Sequence, residues 1–102
     1  VDLAVPYGSK VYAAEGGKIT RVGWSTLGGR IMVERGHSGK RYLFAHLSKS
    51  LARTGDTVRA GELIARVGST GFATGPHLHF QISSNGTTIN PVYFVRRYCQ
   101  VN

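Results

Sequence analysis

Glycine punctuates this chain at 14 of its 102 positions, and between the glycines apolar and polar residues tend to alternate instead of recurring at helical spacing. Glycine supplies the corners that tight turns need, and a period of two marks a strand with one buried face. No long amphipathic helix, low-complexity tract or linker breaks the pattern. The expected fold is therefore all-β, a compact antiparallel sheet with at most a short helix over residues 92–98. One domain of this length buries roughly 60–65% of its unfolded surface without staples.

The runs can be placed in order. Residues 10–14 and 18–24 read as two strands, and Glu15-Gly16-Gly17 between them reads as a hairpin turn. Further strands are expected at 30–35, 40–47, 63–67 and 87–90, with Asn85-Gly86 as a second hairpin signal. Glycine turns flank a short extended piece within 54–62, and 25–29 and 69–75 read as small-residue loops able to wall a narrow groove. The Gly68–Gly75 loop lacks the Lys-Ser/Thr ending and the following helix of a phosphate loop.

Chemistry concentrates in Gly75-Pro76-His77-Leu78-His79-Phe80-Gln81-Ile82. As a strand it sends Leu78, Phe80 and Ile82 to a core, and His77, His79 and Gln81 to the other face. Two imidazoles about 7 Å apart on one polar face suit a shared site, one ring on a metal and the other reaching water or substrate. In the 40–47 strand the same alternation puts Tyr42, Phe44 and His46 on one face and Leu43, Ala45 and Leu47 on the other, so His46 is a third candidate imidazole. His37 lies in the Gly36–Gly39 turn and is expected in solvent. Asp2, flanked by apolar residues, reads equally as a strand-borne carboxylate or a turn residue.

Composition narrows the partners. Thirteen Lys and Arg against five Asp and Glu give a net charge of +8, which calls for an anionic partner: nucleic acid, anionic lipid or a wall polymer. No helix-turn-helix or aromatic RNA-binding pattern is present, so nucleic acid is not expected. Cys99 is the single cysteine, which rules out an internal disulfide or a cysteine-based zinc site. No stretch reaches the ~18 apolar residues of a membrane span. The opening on Val1-Asp2 suggests a fragment with a targeting region upstream.

Taken together, these motifs resemble the M23 zinc metallopeptidases of the lysostaphin or LytM type. The resemblance is carried by Gly-Pro-His-Leu-His at 75–79, Gly-Ser-Thr-Gly at 68–71 and Ala-Thr-Gly at 73–75. Ala-His-Leu-Ser at 45–48, Thr-Gly-Asp-Thr-Val-Arg-Ala-Gly at 54–61, Asn-Pro at 90–91 and Asp-Leu-Ala-Val-Pro-Tyr-Gly at 2–8 follow in the family's order. It implies Asp2 and His79 as zinc ligands, and His46 and His77 as catalytic imidazoles. It also implies hydrolysis of peptide cross-links in bacterial peptidoglycan, outside the cytoplasm. The family's first motif, His-x-x-x-Asp, would put a third ligand four residues before Asp2, upstream of Val1. Residues 1–102 alone are therefore expected to fold but to hold zinc weakly. The other function classes are a non-catalytic LytM-like module, binding wall or activating a separate amidase, and a lipoyl- or biotinyl-type carrier barrel. Against the carrier, Lys18 and Lys40 sit at strand starts, not on an exposed hairpin tip.

Overall fold

The computed structural model describes residues 2–4, 6–71, 77–84 and 87–89, with side chains for 6–71 and 78–84. These residues form β1 (Asp2–Ala4), β2 (Lys10–Tyr12), β3 (Gly17–Ser25), β4 (Gly29–Gly36) and β5 (Arg41–Ser50). They continue with β6 (Thr57–Val58), β7 (Leu63–Val67), β8 (His77–Ser84) and β9 (Thr87–Ile89). Every pairing is antiparallel, along the path β1-β8-β5-β4-β3-β6, with β9 on β8 and β7 joining β5 to β2. No helix occurs among the described residues, as expected, and none is long and apolar enough to cross a membrane. The expected helix at 92–98 and the Asn85-Gly86 turn lie outside the described residues.

The alternation in β8 forms the core as read from sequence. Leu78, Phe80 and Ile82 are buried, and Phe80 stacks on Phe44 at 5.0 Å and on Tyr42 at 6.2 Å between ring centroids. Met32, Ile19, Leu47, Val11, Ile64 and Val67 close around them. Each such side chain contributes about 1.5–3 kcal/mol by leaving water.

Two expectations need correction. Residues 15–17 do not form a hairpin: β2 pairs with β7, while β3 pairs with β4 and β6. Neither Gly16 nor Gly17 adopts the positive φ that a two-residue hairpin turn requires. Their smallness serves close approach instead. A Cβ at Gly17 would strike the Arg35 carbonyl and come within 2.8 Å of Glu34 Oε2. Glu15 ties this bend to a distant turn, since its carboxylate accepts from Ser38 Oγ at 2.5 Å and Tyr42 Oη at 2.6 Å.

The second correction concerns β5. Tyr42 and Phe44 face the core, but the strict alternation stops at Ala45. Arg30 pairs with Leu47 and Met32 with Phe44, so the single residue Ile31 stands opposite both Ala45 and His46. This is a β-bulge. It returns Leu47 to the core with Tyr42 and Phe44, and it puts His46 on the opposite face with Leu43 and Ala45. His46 carries the bulge at φ 62°, the one positive φ at a non-glycine residue among those described.

Candidate active site

The bulge marks a fork. Before it, Arg41–Ala45 of β5 pair with β8; after it, Leu47–Ser50 pair with β7. His46 occupies the parting point and is held on three sides. Its N–H donates to Gly28 O at 2.7 Å, its C=O accepts from Gly68 N at 2.9 Å, and its ring Nδ1 lies 2.7 Å from Thr70 O. A carbonyl can only accept, so Nδ1 carries the proton and the neutral ring keeps its lone pair on Nε2. Left-handed backbone at a non-glycine residue costs energy and persists only where its surroundings over-determine it. These three bonds do that.

Thr70 is the residue that sequence reasoning did not single out. Its hydroxyl donates to Leu47 O at 2.8 Å and accepts from Arg30 N at 3.1 Å, which fixes the carbonyl that orients His46. Its place in the Gly-Ser-Thr-Gly run was the available signal. The flanking glycines permit the contact: Gly29 (φ 65°) and Gly71 (φ 73°) meet backbone to backbone, and a Cβ on either would strike the other loop.

Across the fork stands His79. It pairs with Ala45, and its ring lies edge-on to that of His46, with centroids 6.4 Å apart. Both rings open on a cleft of about 380 Å³ lined by Ser25, Leu27, Gly28, Ile31, Leu43 and Ala45 as well. The loop at 25–29 thus walls the groove as its small residues suggested. On the other edge of β8, the register sets Asp2 directly opposite His79 and Ala4 opposite His77. Opposed positions of antiparallel strands have Cβ atoms about 4.5–5.5 Å apart, which brings the carboxylate-bearing residue beside the imidazole strand. Asp2, His77, His79 and His46 are therefore gathered onto two adjoining strand pairs. The side chains of Asp2 and His77 are outside the described residues, and among described residues no three His, Cys, Asp or Glu side chains form a metal cluster. His37 is exposed in its turn, as expected.

A second cavity, of about 390 Å³, lies between residues 6–12 and Arg66. Among the described residues that line it there is no imidazole or carboxylate, and Arg66 there donates to Gly8 O at 2.9 Å.

The donor set fits the zinc that the sequence resemblance implies. Carboxylate oxygen and imidazole nitrogen are zinc ligands, and open coordination positions are what catalytic zinc keeps. Asp2 and His79 would hold it; His46, with Nδ1 committed to Thr70, stands one strand away.

Known proteins share this fold and much of this sequence. The chain is 40% identical over 102 residues to lysostaphin of Staphylococcus simulans, covering 94% of this chain and 21% of that protein. The lysostaphin catalytic domain superimposes with a TM-score of 0.84 over 93% of this chain and 76% of that one. The peptidoglycan DD-endopeptidase ShyC of Vibrio cholerae is 32% identical over 90 residues, covering 88% of this chain and 21% of ShyC. A zinc-containing peptidase from Vibrio cholerae superimposes with a TM-score of 0.82 at 35% identity, over 86% of this chain and 27% of that one. This chain spans about a fifth of the length of these two curated relatives (21% of each). The family model for peptidase family M23 matches residues 1–91, nearly the whole chain, and with the all-β fold and the histidine fork in place the chain belongs to that family.

Proposed function

We propose that this domain is a zinc-dependent endopeptidase that hydrolyses peptide cross-links of bacterial peptidoglycan, working outside the cytoplasm where that polymer lies. The observation that carries the reading is the meeting of His46 and His79 at one cleft, with Asp2 in register opposite His79. It is supported by the likeness to the catalytic domain of lysostaphin, an antimicrobial peptidase, and to ShyC, a peptidoglycan DD-endopeptidase. Asp2 and His79 are assigned as ligands. When bound, zinc supplies Lewis-acid polarisation of the scissile carbonyl and acidifies water toward a pKa of ~7.

The chain's own residues do the rest. With Nδ1 turned to the Thr70 carbonyl, Nε2 of His46 is assigned to take a proton from attacking water, and that carbonyl steadies the imidazolium that results. His77, two residues before His79 on β8, is assigned the complementary role of stabilising the oxyanion or protonating the leaving amine. Leu27, Ile31, Leu43 and Ala45 give the cleft apolar walls that exclude competing water.

The test is release of soluble peptide from purified peptidoglycan by the full-length, zinc-loaded protein. Hydrolysis is expected, with loss on chelation and recovery on adding zinc back. Tight wall binding without peptide release at any zinc level would sink the reading and point to a non-catalytic wall-binding module.

A further inference from the structure

The face of the sheet that holds the cleft also carries a row of cations. Lys18 on β3 pairs with Arg35 on β4, and Arg35 pairs with Arg41 on β5. All three are exposed. Directly opposed residues share a face, and Arg41, Leu43 and Ala45 occupy alternate positions of β5, so this row lies on the side of the cleft. A second bulge, at Thr20 and Arg21 opposite Val33, adds exposed Arg21 to that side. The Nε of Arg21 lies 3.7 Å from where a Cβ on Gly23 would stand, so the side chain lies along β3 over Gly23. Gly23 pairs with Ile31, which lines the cleft.

Like charges set directly opposite one another destabilise a sheet. Among the described side chains, none of the four acidic residues offsets them. Asp56 accepts from Arg53 N, Glu62 from Arg59 N, and Glu15 from Ser38 and Tyr42, and Glu34 is buried on the core face. Among the described residues, Lys18, Arg21, Arg35 and Arg41 have no ion-pair or side-chain hydrogen-bond partner. A cationic ladder without counter-charge among the described residues, on the cleft side of the sheet, fits an anionic ligand that also enters the cleft.

We infer that Lys18, Arg21, Arg35 and Arg41 form a carboxylate-binding subsite for the peptide being cleaved, so that the substrate is an acidic wall peptide and not a neutral bridge. The inference rests on the endopeptidase reading and adds its specificity. From Ala45 to Arg41 is four residues of strand, roughly 13 Å, which is about four residues of extended substrate peptide. Carboxylates at that remove from the scissile bond reach the ladder; those adjacent to it do not. Arginine suits the role because its planar fork takes a carboxylate through two parallel hydrogen bonds.

The experiment uses the full-length, zinc-loaded protein and two fluorescein-labelled wall peptides, one with free carboxylates and one with them amidated. Binding is read by anisotropy and cleavage by chromatography. The acid peptide is expected to bind roughly tenfold tighter than the amide, as two or three solvent-exposed ion pairs allow. The doubly substituted Arg35→Gln/Arg41→Gln protein is expected to lose that preference, and Arg59→Gln, in a loop off this row, to retain it. Both sites are exposed, so the fold is not at stake. Cleavage of both peptides with equal affinity would overturn the subsite and leave the endopeptidase reading standing. Acid-selective binding, abolished by the double substitution but without cleavage, would uphold the subsite and overturn the activity. Loss in the variant of binding to a wall phosphodiester polymer, with no acid-peptide preference in the parent, would also overturn the peptide assignment.

Discussion

In the full-length protein, His79→Ala is expected to lose its zinc and all measurable hydrolysis, while His46→Ala keeps the zinc and loses about 10²- to 10⁴-fold in kcat. The split follows from position. His79 stands in register opposite Asp2, so its removal would strip one of the two proposed ligands from the site. Even losses beyond the ligand shell typically weaken metal binding about 10–100-fold, and loss of a ligand is more severe. His46 reaches the cleft from the neighbouring strand, with Nδ1 tied to a backbone carbonyl and Nε2 as its working atom. Truncating it leaves Asp2 and His79 untouched but removes the proton acceptor. His77→Ala is expected to behave like His46→Ala. Metal analysis beside kinetics on purified wall decides the matter, and equal zinc loss in all three variants would remove the division of labour.

The second large effect is on stability and comes from Glu34. Its side chain is fully buried in β4, paired between Ile19 and Tyr42, with neither carboxylate oxygen hydrogen-bonded among the described residues. Burial, and then the nearby charge of Glu15, push its pKa up from 4.5 to about 7. The unfolded chain ionises this group near the ordinary value and the folded chain only near 7, so between those limits the folded state binds more protons. Stability is therefore full below the unfolded pKa and falls as pH rises toward the folded one, by about 3 kcal/mol in all. Glu15 acts oppositely: although its partial burial works the other way, hydrogen bonds from Ser38 and Tyr42 and the charge of Lys40 leave its pKa lowered, and its contribution is lost in acid. Urea unfolding at pH 5 and pH 8 is expected to show the drop in the parent and to lose most of it in Glu34→Gln. Parallel behaviour of the two proteins would show that Glu34 is not the titrating group.

The strand of β8 was legible because nothing interrupts it: glycine and proline precede it, its apolar residues alternate, and the burial follows the alternation. His46 was legible as a candidate but not in its orientation. Alternation alone sends it to the core side with Phe44, and only the pairing of one Ile31 against two residues turns it to the cleft. Such a bulge is set by the neighbouring strand and by Gly28, Gly68 and Thr70, which lie far along the chain. The Gly16-Gly17 pair misled for a related reason. A glycine needed for its missing side chain looks the same in sequence as one needed for its φ. Glu34 carried no local signal either, since a glutamate in a strand normally marks the wet face, and β4 is covered on both sides through Ile31–Glu34.

The left-handed backbone at residue 46 sets heat resistance and turnover against each other. Glycine occupies such a φ without strain, whereas a residue bearing a Cβ gives up on the order of 1 kcal/mol or more to remain there. Folding alone would favour glycine at this position; the proposed proton transfer needs an imidazole. A library of this domain screened only for survival on heating would thus drift toward glycine at 46 and return well-folded proteins that cut nothing, whereas one screened for lysis would keep the histidine and its cost.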